Sequence, residues 1–297
     1  MTAVAGFTCF DGVLMMADTE ETTSIYTKSD CDKMHYFRFP SGTVLMGGAG
    51  NAHLIECAFQ ELEKFLATEG KSIENAQQFL DKLNEFAQNF YYETTGQYGT
   101  EFPAIMLAVN LHEKRTFLFH WEDNRARWVP SPSHDAIGTG TVQLHPMLRD
   151  FQFTPTRETA LFCGIRIMLH AKKIVQGVGG KTEAIALLND GKVMYYGTDN
   201  TQKIEQLVDN FEQFLNKFVY TSVSIISPEI AGVEENFEKN IAHVPDELRH
   251  VREAYKKLLP EHNIDASVAS TATEAATSHT TSQTAKRRSS KPKKGNF

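Results

Sequence analysis

The sequence predicts an α+β fold, a four-layer αββα sandwich in which two antiparallel sheets stack face to face with a helix pair outside each. Three observations support this prediction. Strand patterns occur in blocks, helix patterns occur in pairs, and turns rich in Gly and Asp or Pro join neighbouring strands. Strands in blocks favour antiparallel sheets covered by helices over alternating βαβ units.

The first block contains four strands in two hairpins. Asp11-Gly12 between two apolar runs is a strong hairpin signal, and Pro40-Ser41-Gly42 makes a second break. Each flanking run is short and rich in apolar residues, as strands in a sheet are. The predicted strands are residues 3–9, 13–18, 33–39 and 43–48.

The period then changes from two residues to between three and four, which predicts a pair of amphipathic helices. The first covers residues 52–66, and the second begins with Ser72 as its N-cap. Strands, another helix pair and a closing hairpin around Asn189-Asp190-Gly191 follow. The strands are predicted as a meander of 104–109, 116–121, 126–129 and 135–137, the helices as 141–151 and 157–175, and the hairpin as 184–188 with 193–196.

Three regions of the chain differ in composition. Residues 1–200 form the predicted sandwich domain, and residues 201–260 a helical C-terminal extension with a helix that starts near Pro245, a good N1 residue. Residues 261–297 are rich in Ser, Thr, Ala and bases, without apolar periodicity, and are predicted to be disordered. Two interpretations of the basic end of this tail stay open: it contacts nucleic acid or an acidic partner, or it only aids solubility. The partner of the tail is therefore unknown.

Composition restricts the location and the chemistry of the protein. No run of about 18 apolar residues occurs, and the N-terminus lacks the basic and apolar regions of a signal peptide. The four cysteines are scattered without a CxxC pair, and the eleven histidines form no HExxH pattern. We therefore expect a cytoplasmic protein with reduced cysteines, no membrane partner, no metal and no cofactor.

The first residues of the chain could support nucleophilic catalysis. Removal of Met1 would leave Thr2 with a free amine, whose reference pKa is about 7.7–8.0. Such an amine can accept the proton of the neighbouring hydroxyl, so one residue supplies both nucleophile and base. A nearby cation would lower the amine pKa further; Lys33 is the candidate, with Asp18 as the acid that pairs with it.

Several short motifs in order along residues 2–197 resemble the proteasome β-subunit and HslV-type peptidases, which are N-terminal nucleophile (Ntn) hydrolases, and indicate a bacterial proteasome-like homologue. Each motif is weak by itself, and the agreement lies in their order and spacing. The matching pieces are Thr2, Gly6-Phe7, Asp11-Gly12, Ala17-Asp18, KMHYF at 33–37, MGGAGNAHLIECAFQEL at 46–62, AIGTGT at 136–141 and GGKTEAIALLNDGKV at 179–193.

The resemblance implies a role for each matched residue. Thr2 would be the nucleophile, with Asp18 and Lys33 as its charge partners. Gly47 would supply the backbone N–H of an oxyanion hole, and Thr139 stands where the family usually has serine. On the substrate side, Thr22 would bind an extended peptide main chain, and Leu45 and Ala49 would line the first specificity pocket.

The chain also departs from the family pattern. The segment between Asp18 and Lys33 is one residue shorter than is typical. Residues Ile174–Gly180 contain neither the acid nor the hydroxyl that many members place near the terminal amine. Activation would then depend more on Lys33 and Thr139. Within that segment, the glycines at 177–180 lack P-loop spacing and are predicted as a helix C-cap and tight turn.

The resulting hypothesis is a threonine-type endopeptidase that hydrolyses peptides or unfolded proteins inside a homo-oligomeric ring. Removal of Met1 alone would activate it, and an ATPase regulator is a candidate partner. Two alternatives remain: a catalytically silent ring or scaffold subunit, and an Ntn amidase that acts on a small-molecule amide.

Overall fold

A computed structural model describes residues 2–22, 28–98, 102–112, 115–149, 153–224 and 233–259. Numbered along the chain, the strands are β1 (Ala3–Cys9), β2 (Gly12–Asp18), β3 (Glu20–Thr22), β4 (Lys28–Asp30), β5 (Met34–Phe39), β6 (Gly42–Ala49), β7 (Ala104–Leu111), β8 (Arg115–Glu122), β9 (Arg125–Val129), β10 (His134–Gly138), β11 (Thr182–Leu188) and β12 (Val193–Tyr195). The helices are α1 (Ala52–Glu69), α2 (Ala76–Tyr98), α3 (Thr141–Arg149), α4 (Arg157–Ile174), α5 (Thr198–Ser224) and α6 (Val233–Leu258).

Two five-stranded antiparallel sheets form the centre of the described part. The first sheet has the order β10-β1-β2-β11-β12, and the second has the order β5-β6-β7-β8-β9. Strands β3 and β4 pair separately as a small ribbon beside them. These two sheets and their flanking helices confirm the predicted α+β αββα sandwich.

Three apolar cores hold the layers together. The middle core lies between the sheets and includes Val4 and Met15 from the first sheet and Leu45 and Leu118 from the second. One outer core joins the first sheet to helices α3, α4 and α5, and the other joins the second sheet to α1 and α2. Strands β1, β2 and β7 therefore bury both faces, which accounts for their nearly continuous apolar runs.

Strand β10 departs from the predicted meander. The meander holds for β7, β8 and β9, but β10 crosses to the first sheet and pairs with β1 in the register Ala3↔Gly138. A cis peptide bond at Ser131-Pro132 lies in the segment between the two sheets. The crossing brings the end of β10 to the beginning of the chain, where the candidate nucleophile lies.

Two helix boundaries also differ from the prediction. Ser72 does not cap α2: it lies in a 3₁₀ turn, and Asn75 accepts the amide of Gln78 instead, because an asparagine cap can satisfy the first turn directly. Pro245 lies inside α6 rather than at its start. A proline inside a helix removes one backbone hydrogen bond, which tertiary packing can offset. Helix α6 has such packing, because Tyr255 donates to the carbonyl of Glu158 and stacks edge-on against Phe162.

The predicted domain boundary at residues 200/201 falls inside helix α5. This helix contributes Ile204 and Val208 to the core of the first sheet, and the Thr201 hydroxyl donates to the Thr182 carbonyl at 2.5 Å. The boundary remains a prediction, and the predicted disordered tail 261–297 lies outside the described residues. Among the residues described, no helix combines the length and apolar character needed to cross a membrane.

Candidate functional site

Asp18 lies at the centre of the candidate site. It ends β2, and the register Val4↔Ala17 places it opposite Ala3 at the start of β1. One carboxylate oxygen, Oδ1, accepts the Ala3 amide at 2.8 Å and the Lys33 ammonium at 3.0 Å; the other accepts the Gly179 amide at 3.2 Å. The residue is fully buried, so these three donors replace the water that its charge would otherwise require.

Lys33 is held by contacts of both its side-chain ammonium and its backbone. Besides Asp18, its Nζ donates to the Glu20 carbonyl at 2.6 Å. Its backbone N–H points to the carboxyl of Glu183 at 3.4 Å, and its carbonyl accepts the Gly48 amide at 3.3 Å. The lysine is almost completely buried, so its ammonium is fixed rather than solvated.

Thr2 is buried beside this pair. It precedes Ala3, which Asp18 binds, and its carbonyl accepts the Thr139 amide at 3.0 Å. Gly138 allows the approach, because its φ is +97° and a Cβ there would lie 2.0 Å from the Thr2 carbonyl oxygen. The structure therefore brings together Thr2, Asp18, Lys33 and Thr139, as the sequence predicts, while their catalytic roles stay predictions.

The residues predicted on β6 lie on one face of that strand. Leu45, Gly47 and Ala49 alternate and point toward the first sheet. Leu45 is fully buried between the sheets, and the Ala49 methyl lies 2.9 Å from an ideal Cβ on Gly138, close to Thr2. Because the Gly48 amide points to Lys33 and successive amides of a strand alternate, the Gly47 amide faces β7. Its role as an oxyanion donor remains a prediction.

Thr22, the predicted main-chain binding residue, ends β3 and pairs with Lys28 of β4. The side chains of both residues and the intervening residues 23–27 are outside what the structure describes.

Two residues of the site were missed in the sequence. Gly179, in the turn after α4, supplies an amide to Asp18 from 161 positions away. Glu183 is buried in β11 next to Ala17, and its carboxyl lies under the backbone of Lys33. The signal for Glu183 was present: an acid inside the otherwise apolar strand TEAIALL is costly unless it has a partner. No local signal marks Gly179.

Glu183 has an unusual protonation equilibrium. Burial, together with the negative charge of Asp32, raises the pKa of its carboxyl from 4.5 to about 7, although the amides of Lys33 and Met34 act in the opposite direction. The carboxyl therefore changes charge near neutral pH directly beneath the segment that carries Lys33.

This raised pKa predicts that Glu183 makes the protein less stable as pH increases. Below about pH 4.5 both folded and unfolded states hold the proton, and between 4.5 and about 7 only the folded state does, so unfolding becomes easier as pH rises. Glu183→Gln stays neutral at every pH. We therefore expect its unfolding free energy relative to wild type to be about 2–3 kcal/mol greater at pH 8 than at pH 4.5. Urea unfolding at the two pH values measures this difference.

The control for this experiment is Glu158→Gln. Although burial raises its pKa, its own backbone amide and the hydrogen bond from Arg157 outweigh burial and lower it, so the pH trend should have the opposite sign. A Glu183→Gln protein with the same pH dependence as wild type would contradict the prediction.

A second charged cluster lies further along β10, where Asp135 pairs with Gly6, and joins the two sheets. Asp135 of β10 contacts His120 of β8 at 2.8 Å, Arg127 of β9 at 2.5 Å and His145 of α3 at 3.1 Å. Burial raises the pKa of the Asp135 carboxyl, but the hydrogen bond and charge of His120, with Arg127 and His145, outweigh it and hold the pKa at about 2. The cluster ties β10, and hence Gly138, to the second sheet. Within the described residues no group of three or more His, Cys, Asp or Glu side chains could hold a metal.

Solved structures with the same fold include Anbu proteins. Anbu from Yersinia bercovieri, described as an ancestral β-subunit, is 14% identical, with a TM-score of 0.61 over 78% of this chain and 99% of that one. The helical assembly of the Anbu complex from Pseudomonas aeruginosa is 13% identical, with a TM-score of 0.60 over 73% and 95%. Anbu from Hyphomicrobium sp. strain MC1 is 14% identical, with a TM-score of 0.58 over 73% and 97%.

No protein-family model matches the chain, and no curated protein matches it. At these identities the likeness shows the fold alone. It also corrects the prediction of a proteasome β-subunit or HslV-type peptidase, because the solved structures that this chain resembles are Anbu proteins. The motifs behind that prediction run from Thr2 and the first hairpin, through residues 33–37, 46–62 and 136–141, to the closing hairpin. They mark the sandwich rather than one family within it.

Proposed function

We propose that this chain is a threonine-type endopeptidase that uses Thr2, exposed by removal of Met1, as an N-terminal nucleophile. The observation that carries the proposal is the buried carboxylate of Asp18, which binds both the Lys33 ammonium and the amide of Ala3, the residue next to Thr2. A lysine fixed at this place lowers the affinity of a neighbouring amine for protons, so more of the amine is available as a base.

The reaction follows from the groups on Thr2. The Thr2 hydroxyl attacks the peptide carbonyl while its own amine takes the hydroxyl proton, directly or through one water. The tetrahedral intermediate collapses as the amine returns that proton to the leaving nitrogen, and the shortened peptide amine departs. Water, activated by the same amine, then hydrolyses the ester and regenerates the Thr2 hydroxyl.

Self-association is the second part of the proposal. One of the structural neighbours is described as a helical assembly of the Anbu complex. We propose that this chain also assembles with copies of itself, either as the closed ring expected from the sequence or as a helix. Closed symmetry satisfies every copy of an interface, whereas an open helix leaves its ends unsatisfied. Electron microscopy of the full chain distinguishes the two forms.

A catalytically silent assembly subunit is the second candidate function. The observation that favours it is the direction of the Gly47 amide, which faces the neighbouring strand β7 of its own sheet. Removing one oxyanion donor typically costs about 10²–10³ in rate. A subunit without such a donor could keep its fold and assemble without turning over peptides.

The test begins with N-terminal sequencing of the purified protein. If Met1 is retained, Thr2 has no free amine and the peptidase proposal fails. With Thr2 exposed, we expect an epoxyketone or β-lactone probe to label it covalently, Thr2→Ala to abolish labelling, and Thr2→Ser to retain part of it. An exposed Thr2 that these probes do not label, in a protein that still assembles, supports the silent subunit.

A further inference from the structure

Gly179 is flanked by two carboxylates. Its amide donates to Asp18, and its missing side chain leaves room for Glu20: a Cβ on Gly179 would lie 2.0 Å from the Oε2 of Glu20 and 2.9 Å from its Cδ. A side chain at this position would therefore have to displace the Glu20 carboxyl, whereas the Gly179 backbone does not adopt the left-handed conformation that favours glycine. With standard backbone dimensions, these contacts place the nearest carboxylate oxygens of Asp18 and Glu20 within about 8 Å of each other.

Glu20 also contacts Lys33 through its backbone. The Glu20 carbonyl accepts the Lys33 ammonium at 2.6 Å, and the residue is only 9% exposed. The carbonyl and the carboxyl of one residue thus contact two different parts of the site, the lysine and the turn. A rotation of Glu20 would disturb both contacts.

The other charged groups around Glu20 already have partners or lie elsewhere. Asp18 faces it from β2 and Lys33 from the segment before β5, and the turn 174–180 contributes no titratable side chain. The Lys181 ammonium, next along the chain, lies 3.7 Å from Asp199. The Glu183 carboxyl lies under the Lys33 backbone, beside Asp32. Among the described residues, Glu20 therefore joins Asp18 as an acid that the fold places against the turn.

We propose that Glu20 is a positioning residue of the Thr2 site: its carboxylate holds the 177–180 turn so that the Gly179 amide reaches Asp18, and it adds a second negative charge to the site in which the Glu20 carbonyl binds the Lys33 ammonium. The proposal rests on the proposed function of Thr2. The turn 174–180 contains no acid of its own, and Glu20 of β3 would supply the negative charge there. Its charge favours the protonated form of nearby amines, so it sets the pH at which the Thr2 amine becomes a base.

The test measures the rate of Thr2 acylation by a β-lactone probe as a function of pH in the full chain. We expect Glu20→Gln, which keeps the shape and removes the charge, to move the acidic limb of the profile to lower pH by about half a unit to one unit. Glu158→Gln, at the beginning of α4, is the control and should leave the profile unchanged. A wild-type profile in Glu20→Gln would overturn the proposal.

The glycine provides a second, independent measurement. Gly179→Ala should displace the Glu20 carboxylate and shift the profile in the same direction as Glu20→Gln, because its methyl would occupy the position of Oε2. In a Glu20→Ala background that space is vacant, so Gly179→Ala should then add no further shift. Equal shifts in both backgrounds would show that the methyl acts without Glu20, which overturns the proposal.

Lys33 gives a measurement that needs no activity from Thr2. In a full chain with ¹³Cε-labelled lysine, we expect Glu20→Gln to change the Lys33 resonance and its pH dependence, and Glu158→Gln to leave both unchanged; Lys33→Arg assigns the signal. If the probe does not label wild type, the proposed function of Thr2 fails, and this resonance still decides whether Glu20 acts on Lys33. An unchanged Lys33 resonance in Glu20→Gln would overturn the proposal.

Discussion

Lys33→Met is expected to cost about 3–5 kcal/mol of unfolding free energy and to slow acylation of Thr2 by about 10³-fold. The stability loss follows because Asp18 is completely buried and would lose its only charged partner among the contacts described, while the Ala3 and Gly179 amides remain. An uncompensated buried charge is far more costly than the absence of the whole pair. The rate loss follows from the proposed mechanism, in which the Lys33 cation keeps the Thr2 amine unprotonated.

Two further variants separate stability from catalysis. Asp18→Asn combined with Lys33→Met removes both charges, so it should recover much of the stability without restoring acylation. Lys172→Met breaks a largely buried ion pair, Lys172–Glu205 at 2.5 Å between α4 and α5, and should reduce stability while leaving acylation of the folded protein unchanged. Urea unfolding and probe labelling at pH 7.5 measure the two effects. Normal labelling in Lys33→Met would remove Lys33 from the mechanism.

The local part of the site was predictable from the sequence because one turn determines it. Asp11-Gly12 sets the hairpin register, and in that register Asp18 falls opposite Ala3. The acid therefore returns to the beginning of the chain, and a lysine is the natural partner for a buried carboxylate. The strands and helices were predictable for the same reason, since their periods and turns are local.

The distant part of the site was not predictable, because it depends on which strands become neighbours. The pairing of β11 with β2, in the register Thr182↔Asp18, brings Gly179 and Glu183 to the site, and nothing in either segment specifies that partner. The direction of the Gly47 amide likewise depends on the position of β6 between β5 and β7. The pairing of β10 with β1 in the first sheet also depends on which strands become neighbours, and the sequence predicted it wrongly.

Gly138 is where that crossing meets the candidate nucleophile, and Gly138→Ala is expected to cost about 3 kcal/mol or more and to reduce acylation of Thr2 by about 10²-fold. A φ of +97° is strained for alanine, and the methyl would lie 2.0 Å from the Thr2 carbonyl oxygen, which breaks the hydrogen bond from the Thr139 amide. Gly191→Ala, with a φ of +81° in the β11–β12 turn, is the matched control for strain and should lower stability without affecting labelling. Thermal unfolding and labelling of the folded fraction measure both variants. Equal labelling of the two variants would mean that the end of β10 does not position Thr2, and that Asp18 alone, through the amide of Ala3, holds the nucleophile in place.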